Sequence, residues 1–335
     1  MTHTNLRPIG AGVHLWQPEP GHGWGLANCG LVVSRGSAAC IDSPHDLDLA
    51  HRFRAQCLPL LDEGRDIEWL LVTHANGDHL WGAPAVPTAR VVYTREAVHH
   101  LVQEPDPASL HALVHEGDDI TSRYLKRHFG GYNWSSTQLP RPAVTFTGQV
   151  EIRVGDVVVE LTQLDPGHTV GDLMAYLPAQ RIAFSGDVIF ASSADQPGDH
   201  PVHWAGPLAN VIAACDQVLS TDAELIVPGH GPLLDRAGVA EHQKYLHYLR
   251  ERSHELFALG IPLGQAVRRI ISEHRYPHLH LPERLLVTVG AEYRHLGGEA
   301  DPPMLSKIAA MARLAEELER PGVPEQATRA AAPIA

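Results

Sequence analysis

An α/β layered architecture is the fold class that this sequence predicts, on three observations. Short apolar runs ending in Gly, Asp, His or Thr recur between about residues 10 and 235, stretches with helical spacing lie between them, and from about 236 the pattern is helical throughout. Strands alternating with helices point to layered sheets and helices rather than to an all-β sandwich.

The elements follow in order. GVHLW, LVVSRG and AACID read as strands, and DLDLAHRFRAQCLPLLDEG (46–64) has helical spacing. IEWLLVT and RVVYT are the next strands. Residues 103–143 interrupt the rhythm: PASLHALVHEGDDITSRYLKRHF has the spacing of one or two helices, and GGYNWSSTQLPRPAV reads as loop. This stretch is expected to be an insertion covering one edge of a pocket. VVVELTQL, DLMAYL, RIAFSG and ELIVPG complete the strands, with helical PLANVIAACDQVLSTD (207–222) before the last. Beyond 236, EHQKYLHYLRERSHELFALG, PLGQAVRRIISEH, PERLLVTVGAEYRHLGG and PMLSKIAAMARLAEELE predict three or four helices. The expected division is a layered domain over 1–235, a helical C-terminal extension over 236–320 and a disordered Pro- and Ala-rich tail over 321–335. No internal repeat of fixed period is present.

Length and charge bound the function. A chain of 335 residues suits one large domain or two small ones. A formal charge of −13 argues against nucleic acid or an anionic membrane as the main partner. No apolar run approaches the roughly 18 residues of a membrane span. The opening MTHTNLRPIGAGVHLW lacks a basic region followed by an apolar core, so a cytoplasmic location is expected. The four cysteines, Cys29, Cys40, Cys57 and Cys215, are scattered without a C-x-x-C and read as buried free thiols.

Histidine is abundant, with 23 residues, so a lone histidine says little and only spacing and company count. Four segments share one design, an apolar strand running into a sharp turn that carries His or Asp. They are IEWLLVTHANGDH with His74, Asp78 and His79; VVVELTQLDPGHTVGD with His168; RIAFSGDVIF with Asp187; and ELIVPGHGP with His230. In layered α/β folds strand ends open on a common crevice where ligands bind. Imidazole and carboxylate converging there suit zinc, iron or manganese. Gly77, Gly167, Gly186, Gly229 and Gly231 flank these residues and allow tight turns. Each segment alone could be a polar turn; the four together argue for a metal site.

In this order, T-H-x-x-x-D-H, G-H-T-x-G-D, S-G-D and P-G-H-G, the motifs resemble those of the metallo-β-lactamase superfamily. The resemblance covers about residues 10–235, and the helical C-terminus is similar to that of a subset of bacterial members. It implies a four-layer αββα sandwich with up to two metals at one edge. The combination is specific for the fold but not for the substrate, because the superfamily includes lactamases, lactonases, thioesterases, phosphodiesterases, sulfatases and iron-dependent oxygen-using enzymes. Its usual first motif is H-x-H-x-D-H. Carried onto this chain, one site would use His74, Asn76 and His168, the other Asp78, His79 and His230, and Asp187 would bridge them. One or two divalent ions are implied, zinc first, with iron or manganese as alternatives.

Asn76 is the departure, an amide where the family has imidazole. Amide oxygen binds zinc more weakly, so the second site is expected to be the tighter; iron(II) also accepts two histidines with carboxylates. Tolerated substitution and a remodelled first site both stay open. Among neighbours, Asp42 either orients a ligand histidine or serves a turn, and His45 lies at the pocket mouth or on the surface. His200, His203 and Trp204, in GDHPVHWAGP, either line the cleft or, for Trp204, pack in the core. Trp24, Trp81 and Trp134 are further candidate walls, and Tyr293 reads as packing.

The expected activity is hydrolysis of a small-molecule ester, thioester, lactone or amide by metal-activated water, with Asp78 both ligand and proton acceptor. The alternatives are an iron enzyme that uses dioxygen or performs a lyase or rearrangement reaction, and a non-catalytic ligand-binding member. The expected partner is a small molecule, with no nucleic acid and no membrane. The C-terminal helices either cap the pocket or form a homodimer interface.

Overall fold

Two mixed β-sheets face each other, and helices cover both outer surfaces. The computed structural model describes residues 5–18, 24–102, 105–139, 141–298 and 302–320; the tail expected to be disordered, 321–335, lies outside the described residues. The first sheet runs in chain order, β1 (Leu6–Gly10), β2 (Val13–Trp16), β3 (Cys29–Ser34), β4 (Ser37–Ile41), β5 (Trp69–Leu71), β6 (Arg90–Thr94) and β7 (Val144–Phe146). It is antiparallel from β1 to β4 and parallel from β4 to β7. The second sheet comprises β8 (Gln149–Val154), β9 (Val157–Gln163), β10 (Leu173–Leu177) and β11 (Ile182–Phe190), with β13 (Leu225–His230) added parallel to β11 at the far edge. A small pair, β12 (Gly198–Asp199) and β14 (Leu279–His280), ties the chain after β11 to the C-terminal region.

The strand patterns follow from burial. β9, VVVELTQ, alternates, with Val157, Val159 and Leu161 turned into the space between the sheets. β11, IAFSGDVIF, is buried at every residue, because it lies between β10 and β13 and is covered on both faces. The inter-sheet core joins Leu15, Val32, Ile41, Leu71 and Val92 to Leu161, Leu173, Phe184 and Val227. Leu15, Leu71 and Leu161 are fully buried, and truncating such a side chain to alanine costs about 2–5 kcal/mol.

Helix α1 (Leu47–Cys57) starts where the Asp46 carboxylate accepts the Leu49 N–H at 2.8 Å, and it buries Ala50, Phe53 and Cys57 at helical spacing. A four-residue helix, α2 (Gly77–Leu80), carries Asp78 and His79, and α3 (Arg95–Leu101) follows β6. The expected insertion forms two helices, α4 (Pro107–His115) and α5 (Ile120–Phe129), capped by Asp106 and Asp119. The loop after α5 lays Tyr132 and Trp134 over the chain, Tyr132 donating to the Trp24 carbonyl and Trp134 Nε1 to that of His45.

The second sheet is covered by α6 (Leu208–Ser220), α7 (Arg236–Ala258), α8 (Leu263–Ser272) and α9 (Leu285–His295). The last helix, α10 (Met304–Glu319), crosses to α5 and buries Ile308, Met311, Ala312 and Ala315 in the layer outside the first sheet. The helices after 236 therefore complete both outer layers. All four cysteines are buried thiols. Among the described residues no helix is long and apolar enough to cross a membrane.

Candidate metal centre

The four motif segments meet at one edge of the sandwich. Two groups of potential ligands form there, His74, His168 and Asp187 in one and Asp78, His79 and His230 in the other, the ligand atoms of each lying within 4.8 Å of one another. Asp187 stands between the groups. Its Oδ2 lies 3.8 Å from His74 Nε2, 3.4 Å from His168 Nε2 and 3.2 Å from His230 Nε2, and its Oδ1 lies 3.1 Å from His79 Nε2. Asp78 Oδ2 is 3.3 Å from His230 Nε2.

Local backbone chemistry makes this convergence available. The S-G-D segment is not the sharp turn expected of it: β11 continues through it to Phe190, and its pairing with β13 slips at Gly186. Gly186 has φ +54°, and a Cβ there would press on the Thr73 side chain at 2.8 Å. A Cβ on Gly229 would sit 1.8 Å from Asp187 Oδ1. Glycine at these two positions lets β5, β11 and β13 bring their polar side chains together.

Each histidine is oriented through its Nδ1. His79 Nδ1 donates to Asp42 Oδ2 at 2.7 Å, His168 Nδ1 to the Val202 carbonyl at 2.5 Å, and His230 Nδ1 to the Leu26 carbonyl at 3.2 Å. Thr73 Oγ1 donates to Asp42 Oδ2 at 2.8 Å, which leaves it to accept from His74 Nδ1 at 3.1 Å. With Nδ1 so committed, every Nε2 faces the common point, the arrangement that ligand histidines require. Asp42 thus acts on both groups, on His79 directly and on His74 through Thr73. Among the described residues His74 Nε2, His79 Nε2 and Asp187 Oδ1 are buried without a well-aligned hydrogen bond, although the last two face each other at 3.1 Å. Buried polar atoms are rarely left so, and a divalent cation would satisfy all three; the residues fit a metal.

Electrostatics agree. Burial presses on the Asp187 carboxyl, but His230, His79, His168 and His74 outweigh it and hold the carboxyl well below its ordinary range. Burial likewise lowers the His230 imidazole, yet Asp187 and Asp78 lift it to about 9. Burial, then His79, pushes His74 well below the ordinary histidine value, keeping it a neutral donor.

Asn76 sits at the start of α2, and its amide oxygen position is 2.6 Å from His168 Nε2. The bond from Nδ1 to Val202 makes Nε2 an acceptor, so the amide orientation that matches it presents the NH2 group. Asn76 therefore meets the very lone pair that the first group would offer a metal.

The remaining expected residues divide. Asp42 lies directly behind the ligands. His45 is not on the surface: it is buried, its ring packed at 4.6 Å from Trp134, 4.7 Å from Tyr132 and 5.5 Å from Trp81. Trp81 and Trp134 form this aromatic wall with it. His203 is buried 6.2 Å from the His168 ring, with neither ring nitrogen paired. His200 is not brought to the ligands; its Nδ1 bonds the Tyr245 hydroxyl at 2.8 Å, toward the C-terminal helices. Trp204 is half-buried, with Lys307 5.6 Å over its ring, and its backbone N–H donates to the His168 carbonyl. Tyr293 packs, its hydroxyl donating to the Ile261 carbonyl. Reading side chains alone missed the Val202 and Leu26 carbonyls, which carry no residue signal. Thr73 had one, as the hydroxyl immediately before the first histidine.

The model of the metallo-beta-lactamase superfamily matches residues 22–230. No curated protein matches the chain. Among solved structures, the stereoselective inverting sec-alkylsulfatase Pisa1 from Pseudomonas sp. superposes with a TM-score of 0.66 at 15% identity, over 89% of this chain. The chain spans only 52% of that sulfatase's length. A beta-lactamase domain protein from Burkholderia ambifaria gives a TM-score of 0.59 at 16% identity, over 87% of each chain. A metallo-beta-lactamase from Pontibacter korlensis gives 0.52 at 17% identity, over 73% of this chain and 99% of its own. Identities this low speak for the fold; the family match, the αββα layers and the ligand groups speak together, and the chain belongs to the metallo-beta-lactamase superfamily.

Proposed function

We propose that the protein is a metal-dependent hydrolase of a small-molecule ester, thioester, lactone or amide. The observation that carries this reading is the convergence of four Nε2 atoms on the Asp187 carboxylate, with three of the buried ligand atoms lacking a well-aligned hydrogen bond among the described residues. His74, His168 and Asp187 would hold one ion, and Asp78, His79, His230 and Asp187 the other. A divalent ion so held lowers the pKa of a water toward about 7 and polarises a carbonyl.

The chain's own residues supply the rest. Asp42, Thr73 and the Val202 and Leu26 carbonyls fix the imidazoles before any ligand arrives. Asp78, 18% exposed beside a His230 that is 22% exposed, is the carboxylate placed to take the nucleophile's proton at Oδ2. His45, Trp81, Tyr132 and Trp134, buried and packed on one another, close that side of the site against water. The substrate is a free small molecule, and zinc is the first candidate ion.

The test is metal analysis of untagged protein purified without added metal, followed by a panel of activated esters, lactones and thioesters. Two ions per chain with hydrolysis supports the reading; a metal-replete protein that hydrolyses nothing in the panel overturns it. The contact between Asn76 and His168 favours a second reading, a single-ion enzyme using iron and dioxygen, or one performing a lyase or rearrangement reaction. It predicts one iron per chain and, in its oxidative form, oxygen uptake. A ligand-binding member without catalysis would retain metal weakly.

A further inference from the structure

A buried arginine at the start of the C-terminal helix α9 has its hydrogen bonds incomplete among the described residues. Arg284, immediately before α9, is buried, and its guanidinium carbon lies 4.3 Å over the ring of Trp24. Its contacts are long: Nη1 is 3.6 Å from Asp199 Oδ2 and 3.3 Å from the His200 carbonyl. Its Nε has no partner among the described residues. The adjacent carboxylate, Glu283, accepts instead from the Tyr124 hydroxyl at 2.9 Å. A guanidinium carries five N–H donors and no acceptor, and a buried charged donor left unmatched is costly.

One more donor stands beside it: Trp24 Nε1 is buried and has no partner among the described residues, and neither has Nε2 of His128, whose ring stacks on Trp24 at 5.2 Å. Burial, then the cations Arg284 and Arg127, lower His128 to about 4, so it adds no charge of its own. The place is joined to the metal centre by a short stretch of chain: Trp24 is followed by Gly25, which abuts His45, and by Leu26, whose carbonyl orients His230. Burial lowers the Arg284 guanidinium from its ordinary value, against the pull of Asp199, Tyr124, Glu283 and Asp187.

We propose that Arg284 and Trp24 Nε1 form a subsite for an oxyanion carried by the substrate, a carboxylate, sulfate or phosphate group. The planar guanidinium suits two parallel bonds to such a group, and the indole N–H adds a third donor. Asp199 is then the resident competitor that the ligand displaces. Only the word substrate rests on the hydrolase reading; the anion site itself stands on the arginine and its unmatched donors.

The probe is inorganic sulfate, titrated calorimetrically into the holoprotein and into chelator-treated protein. Arg284→Met should weaken sulfate binding at least about tenfold, the loss of a charge-assisted bond, in both preparations. Asp199→Asn, which removes the competitor, should tighten it a few-fold. Unchanged affinity in Arg284→Met, or wild-type binding abolished by chelation, overturns the proposal. If Arg284→Met does not fold, Asp199→Asn decides, and unchanged sulfate affinity in that variant overturns it equally. Where an ester is hydrolysed, Arg284→Met should raise KM for a carboxylate-bearing ester and not for its neutral amide analogue. If no ester is turned over, the hydrolase reading fails while the sulfate titration still answers.

Discussion

The two groups of candidate ligands meet at Asp187 and differ in almost everything else. His74, His168 and Asp187 are closed off, none more than 4% exposed, and an amide already engages one of their imidazoles. Asp78 and His230, at 18% and 22%, face outward, though His79 beside them is fully buried. One group is dry and contested by an amide; the other is partly open, its ligand atoms set against one another and against Asp187. An ion in the first is therefore set against a neutral amide contact, whereas an ion in the second replaces the protons that pair His230 with Asp78 and Asp187. The comparison teaches that replacing imidazole by amide does more than remove a ligand; it adds a rival for a neighbouring one.

Four experiments would break or sharpen this contrast. The largest effect should come from Asp187→Ala, which removes the carboxylate common to both groups: metal content and hydrolysis should fall together by orders of magnitude. Metal retained at wild-type level would contradict the shared role. Asp42→Ala comes next, because Asp42 orients His79 directly and His74 through Thr73. A loss of about 10–100-fold in metal affinity is expected for such a supporting carboxylate, with Thr73→Val weakening the first group alone. A chelator competition assay reads both.

Asn76→His should raise occupancy of the first group and Asn76→Ala should raise it less, since alanine frees His168 without adding a ligand. Metal-to-protein ratios that do not move in either variant would sink the competition argument. The smallest effect is on stability and lies away from the ions. Burial holds His200 near 3 and His242 near 4. Below the ordinary value of 6.5 the unfolded chain binds protons that the folded chain refuses, so stability must fall as pH drops from about 6.5 toward 4. Each buried histidine contributes up to about 1.4 kcal/mol per pH unit in that window. Thermal melts of His200→Gln between pH 7 and 4.5 should show a shallower decline than wild type.

The strands legible in the sequence were those with an apolar face to bury. GVHLW, RVVYT and VVVELTQL became β2, β6 and β9 with small shifts, and the four C-terminal helices appeared where their spacing placed them. In the two large sheets the strands missed, β1, β7 and β8, all lie at edges, and the two-residue strands β12 and β14 were missed as well. LRPIG carries proline and glycine, VTF is three residues long, and QVEIRV alternates with charge, the features that edge strands use against pairing with other chains. Edge position is a property of the sheet, so no window of sequence contains it. His45 was misjudged for a related reason: its burial comes from Trp81, Tyr132 and Trp134, two of them brought from the far side of an insertion.

By itself the sequence determined an α/β layered architecture, through the period of its apolar residues, and which segments carry the candidate ligands; the four-layer αββα arrangement was implied by the resemblance of those motifs to the family. Tertiary structure alone decided which ring nitrogen each histidine presents, that Asn76 meets His168, that Asp42 serves both groups and that Arg284 leans over Trp24. The reason is physical. Periodicity is encoded by neighbours along the chain, whereas a tautomer or an unmatched donor depends on which oxygen, from a segment tens or hundreds of residues away, arrives within about 3 Å.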